Sequence, residues 1–126
     1  MNDKMDKTQA TMDTAIILTS RVAEMASFYS QGLELGEAQP AGPDHLGFDL
    51  PNAYFGFDQV ETPPEPSGVL SLWFRVNDLA ATFERIKGLG AKVKYPPTKK
   101  PWGDELAALY DIDGNLFGLA QRQEAQ

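Results

Sequence analysis

Side chains that could do chemistry are few in this sequence. There is no cysteine, so disulfides and thiolate chemistry are excluded. The one histidine, His45, opens a short strand and has no partner at a spacing that marks a catalytic triad, so we assign it a structural or surface role. The carboxylates Asp58, Asp104 and Glu105 are not spaced as a paired acid and base, and no glycine-rich phosphate loop is present. The residue types alone therefore indicate no catalytic constellation.

Composition narrows the class of protein and its partners. The chain has 126 residues, 42% of them hydrophobic and 23% charged, which is typical of one globular domain with a core. Its formal net charge of −7 argues against a nucleic-acid partner and against an anionic membrane surface. No apolar run has the roughly 20 residues that a membrane span needs. We predict a mobile polar tail over residues 1–13 and, from the lack of cysteine, a cytoplasmic location.

The elements that must position these side chains recur along the chain. In the first unit, 14–60, "TAIILTS" predicts a strand, "RVAEMASFYSQGLEL" a helix, and "HLGFDL" and "NAYFGFDQV" two further strands. The Pro-rich "ETPPEPSG" at 61–68 predicts a linker. In the second unit, 69–122, "VLSLWFRV" predicts a strand, a helix is capped by Asn77, and a strand begins at "AKVKY". A loop at "PPTKKPWGD" and a hairpin of "ELAALYD" and "NLFGLAQ" complete the single domain predicted for 14–126.

The two units align with an offset of 57 residues, which places Thr14 on Ser71 and Tyr29 on Ile86. Almost no residues are identical between them, so the repeat is one of pattern: strand, helix, then about three strands. We therefore predict an α+β fold in which two βαβββ modules form cupped mixed sheets with covering helices, and a space lies between the sheets.

This arrangement of two βαβββ modules resembles the vicinal oxygen chelate superfamily, which includes glyoxalase I, extradiol dioxygenases and the bleomycin-resistance proteins. The resemblance lies in "FYSQGLEL", "LWFRVNDLAATFERIKGLGAKV" and "KPWGDELAALYDIDGNLFGLAQR", and it covers roughly Thr14 to Arg122. Its most specific part is "PWG" followed by "DIDGN". The resemblance implies the glyoxalase/bleomycin-resistance fold, a scaffold that hosts both enzymes and binding proteins.

The resemblance also implies where a metal would bind. Enzymes of this family hold a divalent ion with a His on the first strand, a Glu on the fourth, a His or similar ligand on the fifth and a Glu on the last. These positions fall on Thr14, Gly56, Ser71 and Gly118. Hydroxyl groups do not form a tight site without carboxylates, and a shift of two residues would add only Asp58. We therefore predict a metal-independent member with no cofactor.

Strand alternation predicts the lining of the space between the sheets. In "SLWFRV" the apolar Leu72, Phe74 and Val76 are expected to face the helix, since they alternate with a mixed set. The lining is then Thr14, Ile16, Leu18, Tyr54, Gly56, Asp58, Ser71, Trp73, Arg75, Leu116, Gly118 and Ala120. Gly56 and Gly118 would leave room for a planar group to lie against the sheet. For Trp73 and Tyr54 the alternative is a dry core, and for Arg75 a solvated or paired side chain.

The loop "PPTKKPWGD", which follows the strand beginning at "AKVKY", carries two further features. Trp102 is large and apolar, so we place it at the rim of this space or at a subunit contact. The lysines nearby indicate a solvated loop, or alternatively a place for an anionic ligand.

Three functions are consistent with these observations. The favoured one is a protein that binds a small aromatic or amphipathic molecule between its sheets. The first alternative is a superfamily enzyme, a glyoxalase-type lyase or isomerase or a dioxygenase, with an atypical site. The second alternative is an interaction or regulatory module whose ligand space is vestigial. We also expect a homodimer, because the family usually pairs and symmetric pairs are the commonest oligomers.

Overall fold

The computed structural model describes residues 9–123. Its helices and strands form two modules with the same order of elements. The first module holds β1 (Thr14–Thr19), α1 (Val22–Leu33), β2 (Gln39–Pro40), β3 (His45–Leu50) and β4 (Ala53–Gln59). The second holds β5 (Leu72–Val76), α2 (Leu79–Gly88), β6 (Lys92–Lys99), β7 (Glu105–Tyr110) and β8 (Leu116–Gln121). Of the predicted tail, residues 1–8 lie outside the described part, and residues 9–13 are exposed and belong to no helix or strand.

Each module forms one four-stranded mixed sheet, in the order β1-β4-β3-β2 or β5-β8-β7-β6. Strand β1 runs parallel to β4 with Ile16 opposite Gly56, and β5 runs parallel to β8 with Trp73 opposite Gly118. Ile16 and Trp73 are 57 residues apart, so the register confirms the predicted repeat. The α+β fold of two βαβββ modules is confirmed with it.

Each helix covers one face of its own sheet, because its apolar residues recur at helical spacing. Helix α1 buries Met25, Ala26 and Tyr29 in this way. Helix α2 begins after Asp78, whose carboxylate accepts the N–H of Ala81. The cap predicted at Asn77 is therefore wrong by one residue, since the capping side chain must directly precede the first helical residue.

The covered faces of the two sheets share one aromatic core. The ring of Tyr29 lies 5.1 Å from that of Phe55 in its own module and 5.3 Å from Phe117 in the second. Phe74 of β5 lies 5.4 Å from Phe55, so the alternation predicted for β5 is confirmed. The modules therefore meet through their helices and covered faces, and the opposite faces of both sheets lie away from this core.

Two close contacts join the helical side of the modules. A Cβ atom on Gly32 would lie 2.7 Å from Ile86 Cγ1, so the glycine lets α1 approach α2 closely. The backbone carbonyl of Gly32 also accepts a hydrogen bond of 3.1 Å from Arg85 Nε.

The "DIDGN" turn between β7 and β8 fastens the second module to the first. Buried Asp111 accepts the hydroxyl proton of Tyr29 at 2.7 Å and the backbone N–H groups of Asp113 and Asn115 at 2.9 Å. Arg21 Nε donates to Asp113 at 2.8 Å, and this hydrogen bond raises the pKa of Arg21. The turn thus has a structural task in addition to reversing the chain.

Strand β6 corrects one predicted boundary. It continues to Lys99 through Pro96 and Pro97, where a loop was expected, and its pairing with β7 shifts register on the way. Proline is tolerated there because β6 lies at the edge of the sheet, where one side needs no ladder hydrogen bonds.

Candidate functional site

Each sheet leaves one face open. The first open face carries Ile16 and Leu18 of β1, 41% and 43% exposed, beside the β3–β4 hairpin. The second open face carries Trp73 and Arg75 of β5 beside β8. Strand alternation puts Tyr54, Gly56, Asp58 and His45 on the first open face, and Gly118 and Ala120 on the second. The structure therefore divides the predicted lining residues between two faces.

Gly118 lies under the indole of Trp73. A Cβ atom at this position would lie 2.0–2.3 Å from three atoms of the indole ring. Trp73 Nε1 donates to the hydroxyl of Ser71 at 2.9 Å, and the side chain remains 45% exposed. The glycine thus lets the ring lie against the strand, with its other side open. The space expected there for a ligand's planar group is taken by the protein's own side chain.

The first open face repeats this arrangement with different rings. A Cβ atom on Gly56 would lie 2.7 Å from His45 Cε1 and 2.9 Å from Tyr54 Cε2, and one on Gly47 would lie 2.0 Å from Tyr54 Oη. The rings of His45 and Tyr54 are inclined by only 14°, with centroids 5.7 Å apart. Two glycines therefore support a pair of nearly parallel rings on the sheet.

Hydrogen bonds connect this pair of rings to Asp58. His45 Nδ1 lies 2.5 Å from Asp58 Oδ1, and His45 Nε2 lies 2.7 Å from Tyr54 Oη. Desolvation by burial raises the pKa of the Tyr54 hydroxyl, and the negative charges of Asp49 and Asp58 raise it further. We call these three hydrogen-bonded side chains, Asp58, His45 and Tyr54, the relay.

The sequence analysis missed the link to His45, although a signal was present. The strands "HLGFDL" and "NAYFGFDQV" form a hairpin about Pro51 and Asn52, and this pairing puts His45 opposite Asp58. With the hairpin drawn in register, the histidine and the carboxylate become neighbours across the strands. A spacing of 13 residues conceals that relationship when only the linear sequence is considered.

Other predicted site residues lie apart from the relay. The hydroxyl of Thr14 donates to Asp13 at 2.6 Å, and Arg75 Nη1 donates to the carbonyl of Gln121 at 3.0 Å. Trp102 is 67% exposed in the turn after β6, where its Nε1 donates to Asp104 at 3.1 Å. Arg75 is thus exposed and hydrogen-bonded to the backbone, and the hydrogen bond of Trp102 lies within its own turn.

The residues at the implied metal positions do not fit a divalent ion. Gly56 and Gly118 have no side chain, and aromatic rings lie over both. Thr14 and Ser71 have hydroxyls only, and these are engaged with Asp13 and Trp73. Both ring nitrogens of His45 are held in the relay. Across residues 9–123, no three His, Asp or Glu side chains converge as a metal-binding group.

Charge differs sharply between the modules. Residues 14–60 contain one arginine and six carboxylates, a formal charge of −5. Residues 69–122 contain eight Lys or Arg and six carboxylates, a formal charge of +2. Beside the relay lies an open hollow of about 380 Å³, lined by residues of the first module, with Asp44 and Asp58 in its wall. The first open face is therefore an acidic surface with apolar and aromatic parts.

The paired βαβββ modules, each sheet with one covered and one open face, define a class of fold that solved structures share. A glyoxalase/bleomycin resistance protein/dioxygenase family enzyme from Burkholderia phytofirmans PsJN has 19% identity and a TM-score of 0.74 over 89% of this chain and 98% of its own. A glyoxalase-related enzyme from Fulvimarina pelagi gives 17% identity and a TM-score of 0.77 over 91% and 89%. TioX from Micromonospora sp. ML1 gives 15% identity and a TM-score of 0.71 over 90% and 100%.

The amino-acid sequence identifies the family to which the chain belongs. The model of the Glyoxalase/Bleomycin resistance protein/Dioxygenase superfamily matches residues 11–119, and the chain belongs to this superfamily. No protein of curated function matches the chain. Within the described residues, neither helix has the length and apolar character needed to cross a lipid bilayer.

Proposed function

We propose that this protein is a metal-independent member of the superfamily that binds a small aromatic or amphipathic molecule on its open sheet faces. The observation that carries the proposal is that aromatic rings lie over Gly56 and Gly118, two of the positions where the family resemblance implies metal ligands. Trp73 on Gly118, and His45 with Tyr54 on Gly56, occupy the places where metal ligands would project. The Trp73 side chain is 45% exposed, and His45 and Tyr54 are partly exposed. Exposed flat rings are suited to stacking on a planar ligand, which adds to the area that the ligand buries.

We propose that the protein acts as a homodimer, since a ligand on either open face is covered from one side only within a single chain. A facing sheet from a second copy would enclose the ligand. The exposed apolar side chains of Ile16, Leu18 and Trp73 support this proposal. A cytoplasmic location is part of the same proposal and depends on the cysteine-free sequence.

A thermal-shift screen with planar aromatic compounds tests the binding function. A ligand at about 100 times its dissociation constant stabilises the folded state by about 2.7 kcal/mol, a shift on the order of 10 °C for a domain of this size. Trp73→Ala or Tyr54→Ala should abolish the shift, according to the open face that the ligand occupies, while Trp102→Ala should leave it unchanged, because Trp102 lies in the exposed turn. A shift that both Trp73→Ala and Tyr54→Ala leave unchanged would place the ligand away from the open faces, and no shift from any aromatic compound would contradict the proposal.

Metal independence has its own test. Elemental analysis of the dialysed protein should find far less than one zinc, nickel, iron or manganese per chain, because Thr14 and Ser71 offer only engaged hydroxyls. Near-stoichiometric metal would overturn this part of the proposal, and His45 and Asp58 would be the first ligands to replace.

An acid–base enzyme of the same superfamily is the second candidate, and the relay is the observation that favours it. A tyrosine hydroxyl bonded to a histidine that a carboxylate orients resembles the acid–base chains of many active sites. Proton NMR in D₂O, with small carbonyl compounds as substrates, would detect exchange of their acidic C–H protons. Exchange that is lost in His45→Gln would support this candidate; its absence across the compound set would leave the binding function favoured.

A further inference from the structure

With Asp58 ionised and His45 neutral, the relay has only one possible direction of hydrogen bonding. An ionised Asp58 carboxylate can only accept, so His45 Nδ1 must carry the proton on that side. A neutral imidazole has a single N–H, which leaves His45 Nε2 as an acceptor for the Tyr54 hydroxyl at 2.7 Å. The only proton of Tyr54 is then used within the relay. What its oxygen offers to a ligand is a lone pair, so the relay presents an acceptor and no donor.

The surroundings of the relay favour a positive ligand over a negative one. Asp49 lies opposite Tyr54 in the hairpin, and Asp58 ends the relay. The adjoining hollow has Asp44 and Asp58 in its wall together with the apolar Leu18 and Val60. Within the first module of one chain, an anion placed there would face carboxylates, because Arg21 is the one Lys or Arg between residues 14 and 60 and it is bonded to Asp113.

Building on the proposed binding function, we propose that the relay selects a planar ligand with an N–H or O–H donor at its edge, and prefers a cation over an anion. The ligand's ring lies on the nearly parallel rings of His45 and Tyr54 beside Ile16. Its donor bonds Tyr54 Oη, and a substituent extends into the hollow beside Asp58. The class therefore comprises planar aromatic amines, amidines and related donor-bearing ring systems.

The hydrogen-bond direction can be tested without a ligand. Since the chain has one histidine, long-range ¹H–¹⁵N NMR of the untagged protein reports on His45 alone. At mildly alkaline pH, where an imidazole is neutral, the Nδ1–H tautomer is expected, and Asp58→Asn should reduce its population. A dominant Nε2–H tautomer would show that Tyr54 keeps its proton free, and would overturn the inference.

Matched probes test the selectivity. 2-Naphthamidine and 2-naphthoate share one ring system, but the first carries a cationic donor group and the second an anionic acceptor group. We expect calorimetry to show the amidine binding at least about tenfold more tightly to the wild-type protein. Tyr54→Phe keeps the ring and removes the acceptor, so it should reduce the preference to about threefold or less. Tyr95→Phe on β6 also removes a hydroxyl and should leave the preference intact.

The outcomes separate this inference from the proposed function. Equal or tighter binding of 2-naphthoate would overturn the donor selectivity and leave aromatic binding standing. A preference for the amidine that survives Tyr54→Phe would overturn the role of the relay, because acidity alone would then explain it. If neither probe nor neutral 2-methylnaphthalene binds, the proposed binding function fails, and the inference fails with it.

Discussion

At the residue scale, two glycines matter because each lets aromatic rings lie directly on the strand. Gly56 lies on β4 and Gly118 on β8, the last strands of the two modules in chain order. Their positions are equivalent, since they lie opposite Ile16 and Trp73. In the first sheet the ring above the glycine comes from β3 and β4, and in the second it comes from β5. A mid-strand glycine usually weakens a strand, so its cost must be offset by a contact that a Cβ atom would prevent.

A double-mutant cycle tests this pairing of glycine and ring. Gly118→Ala alone should destabilise the protein by about 1–3 kcal/mol, because the new Cβ atom would lie 2.0 Å from the Trp73 ring and must displace it. In a Trp73→Ala background the same change should cost about 1 kcal/mol or less, since nothing then covers position 118. Urea melts of the four proteins give the coupling free energy, and a coupling near zero would show that the indole moves away without loss.

Neighbouring residues on β5 offer a second test, since Trp73 and Phe74 face opposite sides of the sheet. Trp73→Ala should cost about 1–2 kcal/mol, because its outer side is exposed and only its inner side is packed. Phe74→Ala should cost about 3 kcal/mol or more, because Tyr29, Phe55 and Phe117 surround it in the core. Equal losses above about 3 kcal/mol in denaturant melts would mean that both faces of β5 are dry core.

Among the elements, the "DIDGN" turn and helix α1 depend on one buried hydrogen bond. Burial raises the pKa of Tyr29 well above the ordinary tyrosine value, and the charge of Asp111 and its hydrogen bond raise it further. A raised pKa in the folded state means that the neutral hydroxyl is favoured by folding. Its contribution to stability is complete below the unfolded pKa of about 10, and it is lost as the pH rises toward the folded value.

Alkaline unfolding measures this effect. Above about pH 10 the free energy of unfolding should fall by up to about 1.4 kcal/mol per pH unit through Tyr29. Tyr29→Phe should lose about 1–2 kcal/mol at neutral pH, since Asp111 keeps its backbone donors, but should show a shallower decline at high pH. Parallel curves for the two proteins between neutral and alkaline pH would contradict the role of Tyr29.

Elements whose apolar side chains recur with a helical or strand period were predictable from the sequence. Features that depend on how strands pair were not. The apolar spacing of α1 and the alternation of "SLWFRV" indicate which side chains meet the core, and both agree with the structure. The extent of β6 was missed because two prolines indicate a break, whereas an edge strand accepts them. The relay was missed because His45 and Asp58 become neighbours only through the register of the hairpin. No local pattern reveals a ring that lies over a glycine on another strand.

On the scale of the whole molecule, the two modules have the same architecture and opposite charge. The first is acidic at −5 and the second is basic at +2, and each has an open face with exposed apolar side chains. In a two-fold symmetric dimer, the first open face of each chain can meet the second open face of the other. Such pairing would bring unlike charges together and would cover Ile16 and Trp73 at once.

The predicted dimer can be tested with one charged substitution on the first open face. Light scattering of the wild-type protein at micromolar concentration should give about twice the chain mass of 13.9 kDa. Ile16→Lys should weaken association by about a hundredfold or more, because a lysine would be buried in an apolar contact. Val69→Lys is the matched control, since Val69 is 88% exposed and precedes β5, outside either open face.

Raised salt should weaken the wild-type dimer, as attraction between the acidic and basic modules is screened. A wild-type mass near that of one chain would refute the dimer, and a dimer that Ile16→Lys leaves intact would place the interface away from the open faces.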